Sequence, residues 1–416
     1  MLLWSQILIM EKISSLRTPS FIDSQRQNRR RRYSISSPNL FESRGGTIIQ
    51  QFDNIINRSS RAKLSKTKSA LSISNLGFES TNSDLEKYDI LTKLNIGAFG
   101  ASYLIRDSND GQMYILKRID YNLPEKFREH LFNERYLLSV LKSNYILSLI
   151  SSYIDIEHNC FSMKFEYTNG ITLLHLLRQV RWFEESAVAF YSAQIVVAFE
   201  YLHELNIIYR NLKLETILLT HNGYIQLFDF AFAKLLSSQS TYTYSIVGVP
   251  DIIPPEMLLA RPYSFSVDWW QLGIAMFEML TSRTPFFSPS MFETHKNVIE
   301  NRRYEFPSHI SSLARCTCMM LLQPNIKKRL GCSSTGQGAK EVKQNVWFKN
   351  HVNWAAIIEG AHPPPYRINN VERNSNKTTS LLNTIESKWL DEYDQAVRSL
   401  MDVSVSDDET NLLKIF

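Results

Sequence analysis

The hydrophobic period of the chain changes near residue 169, and no other feature constrains its architecture as much. Between Tyr88 and Phe165 the apolar residues fall in short β-like runs: YDILTKL, ASYLIRD, QMYILKRI, YILSLISSYI and CFSMKFEY. One helix-like stretch, Phe127–Leu141, interrupts them. After Asn169 the pattern turns helical. SAVAFYSAQIVVAFEYLHEL places its apolar residues on one face at helical spacing. DWWQLGIAMFEML is apolar all round and reads as a buried helix. A strand-rich lobe followed by a helical lobe predicts an α+β architecture with a cleft between the two.

The chain before that region differs in composition. Residues 1–85 carry 21 Ser or Thr, 13 basic and 6 acidic residues. Such a segment buries too little apolar surface to offset chain entropy, so a disordered, basic, Ser-rich regulatory tail is expected. The tail holds a net charge of +7 and the remainder −2. The basic balance therefore says nothing about partners of the folded part, and no nucleic-acid partner is expected. Arg29–Arg32 stand just before Ser34, and Arg32-x-x-x-Ser36-x-Pro38 resembles a 14-3-3 docking sequence once Ser36 is phosphorylated. Four scattered cysteines make no disulfide framework, and the Cys316-x-Cys318 pair has no second pair near it to complete a zinc site. No apolar run reaches the roughly 18 residues of a membrane span. A reducing compartment is expected: the cytoplasm, with the nucleus as a second location.

Several chemistry-bearing motifs follow in a fixed order. Asn95-x-Gly97-x-x-Gly100 lies between two strand-like runs, where glycines let a backbone approach phosphates closely. Lys117 ends the next strand and Glu134 sits in the helix pattern after it. Ile208-Tyr209-Arg210-Asn211-Leu212-Lys213-Leu214-Glu215-Thr216 comes next, and Asp229-Phe230-Ala231 follows Asn211 by 18 residues. Pro254-Pro255-Glu256, Asp268-Trp-Trp and Arg329-Leu-Gly complete the series.

This ordered set resembles a eukaryotic serine/threonine protein kinase over residues 88–348, with a small lobe at 88–167 and a large lobe at 168–348. The resemblance implies an antiparallel-sheet small lobe with one regulatory helix and a larger helical lobe. Ser266-Val-Asp-Trp-Trp, Lys328-Arg329-Leu330-Gly331 and Val346-Trp-Phe-Lys-Asn resemble the AGC group. His351-Val-Asn-Trp354 and Pro363-Pro-Pro-Tyr366 resemble that group's C-terminal extension, here 349–416, and especially its ribosomal-protein-kinase branch. By this resemblance Asn95, Gly97, Gly100, Lys117, Glu134, Glu166 and Thr168 would contact ATP. Asp229 and Thr216 would hold Mg2+, and Lys213 would serve the transfer. Arg210 and Lys234 would receive a phosphate on Ser245, with Thr243 a near alternative. Leu390-x-x-Tyr393-Asp394 loosely resembles the hydrophobic motif of the group with an acid at its phosphosite. An ordinary amphipathic helix over 384–401 is an equal reading of the same residues.

The sequence departs from the family where the chemistry lies. The base that accepts the substrate hydroxyl proton is an Asp in active kinases; here it is Asn211, which carries no charge. General-base terms contribute about 10²–10⁴ in rate, so transfer should be severely impaired. The second metal ligand is Thr216 in place of an Asn. Ile115 stands where a small residue lies above adenine, Ser102 replaces the other ceiling residue, and Thr172 replaces an acidic ribose contact. Val249 replaces the Thr that normally bonds the catalytic Asp and Lys. These departures imply a pseudokinase, an allosteric or scaffolding partner of other protein kinases or signalling proteins. A weakly active ATP-dependent serine/threonine kinase is the alternative.

Overall fold

The computed structural model of the chain describes residues 79–80, 88–97, 100–123, 125–155, 158–237, 241–302, 304–332 and 338–367. Ser34, Ser36, the proposed 14-3-3 sequence, the 384–401 helix and Asp394 lie outside the described residues.

Six strands build the first lobe: β1 Glu79–Ser80, β2 Tyr88–Gly97, β3 Gly100–Asp107, β4 Met113–Asp120, β5 Leu149–Asp155 and β6 Cys160–Glu166. Their order in the sheet is β1-β5-β6-β4-β3-β2. All neighbours are antiparallel except β1 with β5, which pair in parallel. Strand β1 corrects the expectation of an unstructured segment through residue 85. The outer edge of β5 presents unpaired backbone groups, and a short added strand satisfies them. Alternation sets the faces of the sheet. Ile105 and Leu116 are fully buried and pack with Tyr153. Helix α1, Glu125–Val140, interrupts the strands close to its expected place, and its Leu131, Leu137 and Leu138 are buried. The run YILSLISSYI forms a strand only from Leu149. Its first residues make a loop in which Ile146 bridges to Leu227, because backbone groups of the second lobe pair with this loop.

The second lobe is helical. Strand β7 (Gly170–Thr172) leads into α2 (Leu173–Val180) and α3 (Glu185–Glu204). Short strands β8 (Ile207–Ile208), β9 (Ile217–Thr220), β10 (Ile225–Leu227) and β11 (Lys234–Leu235) carry the loops that face the first lobe. Helices α4 (Pro255–Leu258), α5 (Ser266–Thr281), α6 (Met291–Glu300), α7 (Ser312–Leu321), α8 (Ala339–Lys343), α9 (Val346–His351) and α10 (Trp354–Ile358) complete it. Helix α5 is buried along nearly its whole length, as its mostly apolar sequence predicts. Among the described residues no helix is long and apolar enough to cross a membrane.

Helix α10 and the segment after it pack beside α3, the loop before β5 and the turn before β10. Tyr145 Oη donates to the carbonyl of Ile357 at 2.7 Å, and Tyr224 Oη donates to that of His362 at 2.7 Å. Tyr366 stacks on Phe183 with ring centres 5.4 Å apart. Gly223 has φ +85° and lies against this segment; a Cβ there would meet the carbonyl of Tyr366 at 2.4 Å. Only glycine combines that dihedral with that approach.

Candidate nucleotide and phosphotransfer site

Strands β3 and β4 supply the roof of the cleft. Ser102 pairs across the ladder with Lys117, and Leu104 with Ile115. With the two-residue period of a strand, Ser102, Leu104, Ile115 and Lys117 share one face. The altered ceiling residues therefore share their face with the lysine. Gly100 pairs with Ile119, and a Cβ there would sit 1.9 Å from the carbonyl of Arg118. Close strand packing requires this glycine whatever binds below. Gly97 pairs with Gly100 and Asn95 with Ser102; the side chain of Asn95 lies outside the described residues.

Lys117 Nζ donates to both oxygens of Glu134, at 3.0 and 3.1 Å. Glu134 projects from α1 and is 1% exposed. Burial works against the Lys117 ammonium, but the carboxylates of Glu134 and Asp229 outweigh it and hold its pKa above the usual value. Both lobes thus meet at one charge.

The loop between β8 and β9 forms the floor. Arg210 takes φ 62°, a left-handed backbone that costs a non-glycine residue free energy. Asp268 holds it there. Its Oδ2 accepts from the N–H of Tyr209 at 3.0 Å and its Oδ1 from that of Arg210 at 2.8 Å. Gln271 adds a second bracket, accepting from the N–H of Leu212 at 3.0 Å and donating to the carbonyl of Arg210 at 3.1 Å. Sequence reasoning missed Gln271. The signal was present, since Gln271, like Asp268, is a polar residue in a mostly apolar buried helix and must find a buried partner. Tyr209 and Phe230 stack edge-to-face at 5.0 Å, with Leu138 and Leu149 buried in the lobe above. Asn133 Nδ2 donates to the carbonyl of Ala233 at 2.8 Å, a second link from α1 to the lower lobe that the sequence did not reveal.

Asn211 is fully buried. Its Nδ2 donates to both the carbonyl and Oδ2 of Asp229, each at 3.1 Å. Both partners only accept, so the amide must present its NH₂ group here. Asp229 itself has φ 63°, and this clamp holds it. Thr216 Oγ1 sits 2.7 Å from the carbonyl of Asn211 and 3.0 Å from that of Lys213, and accepts from the N–H of Lys213 at 3.3 Å. The Thr216 hydroxyl, expected at a metal, bonds to the main chain that shapes the loop, and 3% of the residue is exposed.

The lobe connection is placed by its backbone. Glu166 pairs with Tyr114 and donates its N–H to Ser148 at 3.1 Å, while its side chain is exposed. Thr168 Oγ1 donates to Gln226 Oε1 at 3.1 Å. Thr172 Oγ1 caps α2 by accepting from the N–H of His175 at 3.2 Å.

The segment after β11 brings together Arg210, Lys234 and Thr243. Lys234 Nζ donates to Thr243 Oγ1 at 2.8 Å, and the buried Arg210 donates to Tyr263 Oη at 2.9 Å and to the carbonyl of Phe232 at 2.7 Å. Ser245 is exposed, 3.3 Å from Thr243 Oγ1, and its carbonyl accepts from Tyr263 Oη. Thr243, named as the alternative, is the hydroxyl on the cation. Burial and then the neighbouring Arg210 charge depress the Lys234 pKa.

Lys213 lies near an acidic group. Burial first, then the charges of Glu215 and Asp251, push the Glu278 carboxyl up to about 8. Its folded pKa then exceeds the reference value of 4.5. The protonated form is the one folding favours, so this contribution to stability is complete below pH 4.5 and lost as pH rises through about 8. Thermal denaturation should show Tm falling over that window, and Glu278→Gln should flatten the slope. An unchanged slope would remove Glu278 as its source.

Comparison with known proteins matches residues 88–348 to the family described as "Protein kinase domain". The cAMP-dependent protein kinase type 3 of Saccharomyces cerevisiae is 36% identical over 287 residues, which cover 68% of this chain and 70% of that one. A Caenorhabditis elegans protein described as "cAMP-dependent protein kinase, catalytic subunit-like" is 34% identical over 283 residues, covering 68% and 69%. The human cAMP-dependent protein kinase catalytic subunit PRKX is 32% identical over 285 residues, covering 68% and 76%. With a bilobal fold, a Lys117–Glu134 bridge and relatives of this kind, the chain belongs to the protein kinase domain family and is homologous to AGC-group serine/threonine kinases.

Proposed function

We propose that this chain is a pseudokinase of the AGC group, a kinase-fold partner that acts by allostery or scaffolding in phosphorylation signalling rather than by phosphate transfer. One observation carries the reading. The residue at the base position is an amide whose NH₂ group is held by Asp229. An amide nitrogen takes no proton from a hydroxyl, and both of its N–H groups face acceptors. The kinase relatives imply the use of ATP, and Lys117 is the group to hold its phosphates. The finer placement beside the ribosomal-protein kinases rests on the tail sequence Pro363-Pro-Pro-Tyr366. A phosphate on Ser245 or Thr243 would add charge-assisted bonds to Lys234 and Arg210, and would order the segment that partners see. The proposal includes a cytoplasmic location, with the nucleus as a second one, and 14-3-3 as a partner of the tail.

A weakly active kinase is the second reading, and the intact Lys117–Glu134 bridge favours it. Positioning alone supplies much of phosphoryl-transfer catalysis. The test is phosphate transfer from labelled ATP by the full chain at high concentration, before and after phosphorylation of the 241–247 segment. The expected result is no transfer above that of Lys117→Met. Transfer that vanishes only in Lys117→Met establishes the second reading.

A further inference from the structure

The cleft of this chain does not fit the magnesium ions that its family implies. Thr216 gives its hydroxyl to the main chain. Asp229 keeps its carboxylate, but Oδ2 and the carbonyl of the same residue each face the Asn211 NH₂ group at 3.1 Å. A cation at Oδ2 would have to displace an N–H bond or approach a group whose exposed polarity is also positive. Asn211 is fully buried, and its amide nitrogen is held by Asp229. Turning the amide over would set its oxygen against two acceptors. The other end, Oδ1, is buried with no hydrogen-bond partner among the described residues. The clamp is therefore kept although it leaves an acceptor unsatisfied.

Charge points the same way. Lys117, Glu134 and Asp229 act on one another electrostatically and sum to one negative charge. A carboxylate at position 211 would make the sum two. The amide removes the charge that most needs a cation, and it donates to the oxygen where that cation would sit.

We propose that Asn211 stands in for the divalent cation at Asp229, so that the chain binds a nucleoside triphosphate through Lys117 without metal. The inference rests on reading the cleft as a nucleotide site and goes beyond the question of transfer. Asn211 is here a positioning residue: it fixes Asp229 and lowers the repulsion a polyphosphate meets.

The test uses the full chain and a non-hydrolysable ATP analogue, so that turnover cannot intervene. Affinity is measured by equilibrium dialysis, and Tm shift by thermal denaturation, in MgCl₂ and in EDTA. The expected result is a wild-type Kd that differs between the two by less than about threefold, because no site gains a cation. In Asn211→Asp the analogue should bind at least about tenfold more tightly with magnesium, since two neighbouring carboxylates then demand it. Lys117→Met should lose binding in both. Wild-type binding that disappears in EDTA overturns the inference, and so does the absence of binding in either condition. The wild-type comparison decides the matter even if Asn211→Asp folds poorly. Phosphate transfer is read separately, so failure here leaves the pseudokinase reading standing or falling on its own assay.

Discussion

Replacing Asn211 by aspartate is expected to raise phosphate transfer by about 10²-fold or more, because a general base contributes about 10²–10⁴ in rate. The side chain would keep its place, since Asp and Asn are nearly isosteric and the loop around it is held by Asp268 and Gln271. What changes is charge. A carboxylate accepts the hydroxyl proton; the amide does not. The gain stops short of full activity because Thr216, Ile115, Ser102 and Val249 remain as they are. The same change has a cost in the absence of ligand. Two N–H bonds to Asp229 are lost, each contributing about 1 kcal/mol. A second carboxylate then faces the first across the distance that now separates Asn211 Nδ2 from Asp229 Oδ2, 3.1 Å. Like charges this close raise one pKa or push the loop open. The variant should therefore lose about 1–3 kcal/mol of stability in EDTA, read by denaturant unfolding, while transfer rises. If transfer stays at the Lys117→Met level in Asn211→Asp, position 211 is not what limits this chain.

The second large effect is on folding. Glu256 and Arg329 meet inside the helical lobe at 2.6 and 2.9 Å, exposed by 2% and 1%. Arg329 also donates to the carbonyls of Ser266 at 2.9 Å and Gln323 at 2.9 Å, and lies 5.0 Å from the centre of the Trp270 ring. It pins together α4, the start of α5 and the loop after α7. Removing one partner of such a pair costs about 3–5 kcal/mol, because the other is left charged without water or counter-ion. Arg329→Met should therefore lower Tm by about 10 °C. Among the described residues, Glu256 would retain the Ser266 hydroxyl, at 3.1 Å. The double variant Glu256→Leu with Arg329→Met should recover much of that loss, since no buried charge remains unpaired. A single variant within about 1 kcal/mol of wild type would show that water reaches this pair.

The fold class was legible because it follows from period. Alternating runs before residue 169 and helical runs after it need only the geometry of strand and helix. The order of the motifs singles out Lys117, Glu134, Asn211 and Asp229, which the fold brings into contact or electrostatic reach of one another. The start of β5 was misjudged because Tyr145, Ile146 and Leu147 are apolar like the strand that follows, and a buried loop and a buried strand share that pattern. Strand β1 was missed for a different reason. Its two residues have no periodicity, and only the exposed edge of β5 makes them a strand.

The sequence by itself determined the chemical identity of each group: a neutral amide at position 211, a hydroxyl at 216, a carboxylate at 229. It also determined that the chain alternates and then coils, since those patterns are local. Only the tertiary structure decided what each group does with its hydrogen bonds. Thr216 turns to the main chain, Thr172 caps a helix, Thr243 rather than Ser245 meets Lys234, and Asn211 closes on Asp229. The physical reason is that hydrogen bonding in a dry interior is a matter of supply. Each donor there must find an acceptor, and the acceptors within reach come from segments distant in sequence, such as the 18 residues that separate Asn211 from Asp229.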